Sequence, residues 1–248
     1  MLPIAASLLV AGSVPLLSQK DSQPSVEQIF DQYIEALGGK SALSKVETLR
    51  MSGSYSFNGM TYPMVLTRQR PDRYRFELDI DGSPYIEATD GTNTWSYMSQ
   101  RDQPLEQMEG EDATRFQEEW ADFDGPLVDY KEKGNTVALV GTENIDGVDC
   151  FHLQITFPSG HTQDWFLDVQ TFDLVRKVTT QAHRRRGSYD RVWYYEGFRR
   201  EDGVQMPQYF EREDLQHVRA YDFDTFKINV DVTKDHFSPP SSDRVFGE

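Results

Sequence analysis

The chain has 248 residues, 38% hydrophobic and 12% aromatic, with a formal net charge of −16. That length holds one large β domain or two small ones. The acidity argues against nucleic acid, whose phosphates are neutralised by Lys and Arg, and against electrostatic docking on anionic lipid. One cysteine, Cys150, rules out an internal disulfide and a thiolate metal cage, and Phe151 beside it marks a buried, inert thiol.

Residues 1–19, MLPIAASLLVAGSVPLLSQ, carry no charge. They match the apolar core of a secretory signal, with small residues at Ala11, Gly12 and Ser13, although the basic leading segment is missing. Residues 20–248 are then expected to form one domain in the periplasm, or to hang from a retained N-terminal anchor. Ser25 and Gln28 have capping-box spacing, and Val26, Ile29, Phe30, Tyr33, Ile34 and Leu37 make one helical stripe that ends at Gly38-Gly39.

The period then changes from 3.6 to 2. Leu49, Met51, Gly53, Tyr55 and Phe57 alternate with polar residues. Asn58-Gly59 marks a two-residue hairpin, and Met60, Tyr62, Met64 and Leu66 return. Pro71-Asp72 turns the chain into the alternation of Tyr74, Phe76, Leu78 and Ile80. Asp81-Gly82 and Asp90-Gly91 flank a short strand, and TNTWSY, with Trp95, is the next. Residues 98–130 break the meander, with an amphipathic helix at about 110–123 carrying Ala113, Phe116, Trp120 and Phe123 on one face. Strands are expected at 136–143, 148–157, 162–167, 173–182, 189–198, 204–212 and 215–230, with turns at Asp146-Gly147 and Asp202-Gly203.

Candidates for chemistry are few. Asp168, Thr171 and Asp173 lie between two apolar runs and have the residue types of a tight turn, whose side chains bond nearby backbone N–H groups. The five histidines form no HxH or HxxxH pair, so no metal site is expected. There is no GxSxG, phosphate loop or dinucleotide glycine set. Glu118-Glu119 carries no special weight in so acidic a chain. Arg184-Arg185-Arg186 reads as a solvated hairpin tip. No cofactor is expected, and the chain is not read as an enzyme.

What stands out is apolar. Large or flexible side chains recur on one face of successive strands: Met51, Tyr55 and Phe57; Met64 and Leu66; Tyr74 and Phe76; Trp95; Phe151, Leu153 and Ile155; Trp165. With Phe116 and Trp120 from the helix, they are the expected lining of a concave groove for an apolar ligand, and methionine adapts to variable ligands. The same face would equally serve as a core packed by the helices.

Four passages, in order, resemble a known family: YIEALGGKSAL near the start, RQRPDRYRFEL (68–78), EATDGTNTWSY (87–97) and DHFSPPSSD (235–243). Together they resemble the LolA/LolB-like lipoprotein-carrier superfamily, and YYEGFRREDGVQMPQYFERE (194–213) fits its outer-membrane lipoprotein-sorting branch better than the carrier itself. The resemblance implies a mainly β fold with helices (α+β): an incomplete, strongly curved antiparallel β-barrel with helical plug and lid. It implies a periplasmic carrier of lipid or acylated lipoprotein, working between inner-membrane donor and outer-membrane acceptor proteins. It also implies a lid-gating role for Arg70, whose guanidinium should bond backbone carbonyls within about 98–126. Arg68, on the same face, is its comparison. The alternative is an envelope interaction or sensor module of the same fold with no lipid cargo; a small hydrolase acting on an apolar substrate is a third reading.

Overall fold

The computed structural model describes residues 23–183, 187–233 and 235–240. The expected signal segment, the Arg184–Arg186 tip and the last residues of the closing motif lie outside these.

The first helix forms as its spacing predicts. Ser25 accepts from the Gln28 backbone N–H at 3.2 Å, and Gln28 returns the bond to Ser25 N–H at 2.9 Å. The helix, α1 (Val26–Leu37), ends at Gly38 with φ +121°. A Cβ at Gly38 would lie 2.1 Å from the carbonyl oxygen of Gly203, so only glycine lets α1 dock on that hairpin. A single turn, α2 (Lys40–Leu43), follows.

Thirteen strands then build one sheet. They are β1 (Thr48–Phe57), β2 (Met60–Gln69), β3 (Arg73–Ile80), β4 (Ser83–Thr89), β5 (Thr94–Met98), β6 (Leu105–Met108), β7 (Thr136–Ile145), β8 (Val148–Thr156), β9 (Thr162–Asp168), β10 (Leu174–His183), β11 (Gly187–Glu201), β12 (Val204–Asp214) and β13 (His217–Ile228). The order is β6-β5-β4-β3-β2-β1-β13-β12-β11-β10-β9-β8-β7, antiparallel throughout and not closed on itself. This is the expected incomplete antiparallel barrel.

Hairpin chemistry sets the register. Asn58-Gly59, Asp81-Gly82, Asp146-Gly147 and Asp202-Gly203 all place both turn residues at positive φ, as the I′ turn requires. Leu215-Gln216 does the same with φ of 45° and 72°, although neither residue suits that conformation. The expected strand start at 215 therefore moves to His217. Irregularities at Ser52/Gly53, Leu139/Gly141 and Leu174/Arg176 add bend and twist. At the first, a Cβ on Gly53 would lie 1.9 Å from the Asp222 carbonyl oxygen.

The segment from β6 to β7 crosses from one half of the sheet to the other. β6 is a strand the sequence did not announce. The expected helix at 110–123 divides into α3 (Gly110–Phe116) and a π-helical turn, Gln117–Ala121. Two apolar masses fill the inner face. One packs Met51, Met64, Leu66, Tyr74 and Phe76 against Phe116, Trp193, Met206, Phe210 and Phe223. The other packs α1, through Ile29, Tyr33 and Ile34, on Phe151, Leu153, Ile155 and Trp165. Burying such a side chain contributes roughly 1.5–3 kcal/mol, so α1 is a plug held by its apolar stripe.

Candidate functional site

A cavity of about 270 Å³ lies on the inner face, between the plug and the crossing segment. The sheet contributes Leu49, Met51, Leu66, Tyr74, Trp165, Leu174, Val204, Met206 and Phe210. The plug and its following turn contribute Tyr33, Leu37, Leu43 and Val46, and residues 118–126 form one wall. Trp120 sits in that wall, its ring centroid 5.9 Å from Tyr74 and 6.2 Å from Trp193.

The wall is tied down by polar bonds. Arg68 donates to the Asp122 carbonyl at 2.5 Å. Lys133 grips the Asp122 carboxylate at 2.6 and 2.7 Å and the Gly125 carbonyl at 2.8 Å. The Phe123 N–H donates to the Pro71 carbonyl at 3.1 Å, and Phe123 lies beneath both Arg70 and Arg68, with ring distances of 4.6 and 5.4 Å. Arg70 donates to the carbonyls of Val46 at 2.5 Å and Leu43 at 2.8 Å, and to the Asp124 carboxylate. Its carbonyl partners are thus at the α2–β1 corner rather than within 98–126, and it reaches the crossing segment through a carboxylate. The lid carbonyl is held by Arg68. Arg68 lines the cavity itself and Arg70 bonds three residues of its lining, so Arg68 is not the inert comparison that the sequence offered.

The expected ligand-facing residues divide. Met51, Leu66, Tyr74, Trp120 and Trp165 line this cavity. Tyr55, Phe57 and Phe76 line a second one, of about 330 Å³. Phe116 and Met64 are packed into the core, Phe116 with its ring 5.5 Å from Tyr74. Phe151, Leu153 and Ile155 face inward but lie under α1. Trp95 is a correction: it packs with Ile86, Ala88 and Tyr97 away from both cavities, and its indole N–H donates to the Phe237 carbonyl at 3.0 Å. Both faces of β5 are covered, so alternation there could not tell inside from outside.

Asp168 and Thr171 serve the turn as expected: the Asp168 carboxylate accepts from the N–H groups of Gln170 at 2.6 Å and Thr171 at 3.2 Å, and the Thr171 hydroxyl from Asp173 N–H at 3.3 Å. Asp173 does more, since it accepts from the Gln205 side chain at 2.5 Å and lines the cavity. Cys150 is fully buried, which pushes its thiol up to about 11.

The charged lining residue that sequence reading missed on β10 is Lys177. It lines the cavity and is 5% exposed. Its ammonium sits 4.0 Å from the Trp193 ring and 5.3 Å from Trp120. Burial lowers it from 10.5 to about 8, against the pull of Glu119. Among the described residues there is no cluster of three or more His, Cys, Asp or Glu able to hold a metal, and no helix long and apolar enough to cross a membrane.

No protein-family model matches the chain, and no curated protein matches its sequence. Solved structures do match its fold. A DUF1329 family protein from Desulfovibrio piger superposes with TM-score 0.59 at 14% identity, covering 86% of this chain and 97% of that one. A LolA superfamily protein from Nitrosomonas europaea gives 0.57 at 14% identity, covering 88% and 99%. A domain assigned to outer membrane lipoprotein sorting, from Vibrio parahaemolyticus, gives 0.58 at 13% identity, covering 86% and 97%. The chain has the LolA-like fold.

Proposed function

We propose that this protein is a carrier-like binding protein that holds an acyl chain of a lipid or lipoprotein in the inner-face cavity, with residues 118–126 as the movable wall and Arg70 and Arg68 as its latches. The observation that carries this is the cavity itself: about 270 Å³ bounded mainly by apolar side chains of the sheet, plug and lid. Apolar cavities of about 150 Å³ already take up small hydrocarbons. Each methylene transferred from water contributes about 0.8 kcal/mol, part of which offsets the ordering of the chain.

The wall suits a carrier because charge-assisted hydrogen bonds, rather than continuous apolar packing, hold much of it. Such bonds can exchange partners with water as the wall swings. The fold shared with a lipoprotein-sorting domain supports this reading, as does the uncharged apolar segment at 1–19 that reads as an export signal. Export to the periplasm, donor and acceptor proteins at the two membranes, and absence of catalysis are parts of the same proposal.

The test is native mass spectrometry of protein purified from membranes, with titration of a fluorescent fatty acyl probe. A co-purifying lipid and probe uptake blocked by Met206→Trp, which fills the cavity, are the expected results. A clean apo mass with no probe uptake removes the carrier and favours the interaction module.

A further inference from the structure

The second cavity is chemically unlike the first. Its floor is apolar and aromatic, from Phe57, Phe76 and Leu78, but two arginines from neighbouring strands, Arg212 and Arg219, also line it beside Tyr55 and Tyr221. In the register, Arg212 of β12 faces Arg219 of β13 directly. Like charges so placed repel, so something must hold them.

The protein's own counter-ions do this incompletely. Asp214, buried, is the shared partner. Its Oδ1 accepts from Arg219 at 2.5 Å. Its Oδ2 lies 3.4 Å from the Nε of both Arg191 and Arg212, and neither Nε makes a hydrogen bond. Arg191 has Glu119 as a second partner at 3.6 Å. Glu87 lies in the cavity wall, where it accepts from the Tyr85 hydroxyl and pairs with neither arginine. The Arg212 guanidinium is thereby left with no hydrogen bond to any described residue, although the side chain is mostly buried and borders a cavity of about 330 Å³. A guanidinium presents five donors in a fixed fork that matches carboxylate and phosphate oxygens.

The geometry points to an anion site: the second cavity binds the carboxylate or phosphate of an amphiphile between Arg212 and Arg219, with the apolar floor taking the first part of its tail. The inference builds on the carrier reading but does not need it, because the same donors accept a free inorganic anion. Arg212 and Arg219 are balanced in charge by Asp214 and Glu87, so what the site offers an anion is the unbonded donor fork of Arg212 rather than net positive charge.

Isothermal titration of the full chain with decanoate, decanol and inorganic phosphate tests this, with Arg212→Met and the charge-keeping Arg212→Lys as variants. Decanoate is expected to bind at least about tenfold more tightly than decanol, as one charge-assisted hydrogen bond gives. Arg212→Met should bring the two together and Arg212→Lys should keep part of the preference. Phosphate binding that Arg212→Met abolishes, without a decanoate preference, assigns the site to a free anion instead of a headgroup. Equal binding of decanoate and decanol by the unaltered protein, with no phosphate binding, overturns the site and leaves the carrier reading intact. If neither amphiphile binds, the carrier reading fails and the phosphate titration alone decides the anion site. The comparison within the unaltered protein stands even where a variant does not fold.

Discussion

Lys177→Met should stabilise the protein at neutral pH. The methionine keeps the length and flexibility of the side chain and removes its charge. In the unfolded chain the ammonium loses its proton near 10.5, and in the folded one near 8. At about 1.4 kcal/mol per pH unit, the gap means that the folded state holds the charged form at a cost of about 3 kcal/mol. The rings of Trp193 at 4.0 Å and Trp120 at 5.3 Å return about 1–2 kcal/mol of that. The net gain expected from the substitution at pH 7 is therefore about 1–2 kcal/mol. The sign with pH follows from proton counting. Between 8 and 10.5 the unfolded state holds the proton and the folded state has lost it, so wild-type stability rises with pH across that window. The variant lacks this rise, and its advantage should shrink steadily from pH 8 to pH 10. Urea unfolding at pH 7, 8.5 and 10 measures it, and taking the difference between the two proteins cancels the tyrosine titrations common to both. A midpoint difference independent of pH, or a variant less stable at pH 7, would refute the claim that Lys177 is a desolvated charge facing the cavity.

Three further outcomes are expected. Arg70→Leu removes two carbonyl bonds and the Asp124 pair, and should loosen the closed wall by about 1–3 kcal/mol, seen as tighter binding and slower release of an acyl probe. Arg68→Leu, which frees the Asp122 carbonyl, should act in the same direction; probe affinity and release like the parent's in both variants remove the latch role. Gly53→Ala should cost about 3 kcal/mol or more, because its Cβ lands on the Asp222 carbonyl, and an unchanged urea midpoint would contradict the close approach of β1 to β13. Leu215→Asn with Gln216→Gly should raise stability by about 1 kcal/mol, since both residues now sit at positive φ; no shift in the melting temperature argues against that turn.

Much of the fold was legible because it is written locally. The capping box of α1 and the four Asn-Gly or Asp-Gly turns each need only neighbouring residues to be read. The site was legible only in part. Tyr74 and Met51 reach the main cavity through plain alternation from a hairpin of known register. Lys177 does not: the irregularity at Leu174/Arg176 shifts the alternation by one residue, so Leu174 and Lys177 share the inner face while Val178 packs on the outer. A single inserted residue leaves no mark in composition. Val204, Met206 and Phe210 did carry a period-2 signal and could have been added to the lining. The cover that α1 places over Phe151, Leu153 and Ile155, and the seat of Trp95 under Phe237, are long-range choices made by packing.

The strand order also sets when the main cavity can exist. Strands β1 to β6 and β7 to β13 are two meanders, each paired between chain neighbours. A single ladder joins them, in which Leu49 meets Ile228 and Phe57 meets Arg219. Pairings so distant in sequence form slowly, because loop closure precedes any reward from contact. The main cavity straddles this seam, drawing Leu49 and Met51 from β1, Met206 and Phe210 from β12, and Ile228 from the end of β13. Neither meander can enclose it alone. A chain lacking β13 cannot join the two meanders and so cannot enclose the cavity, and anything that filled it would pin the two halves together.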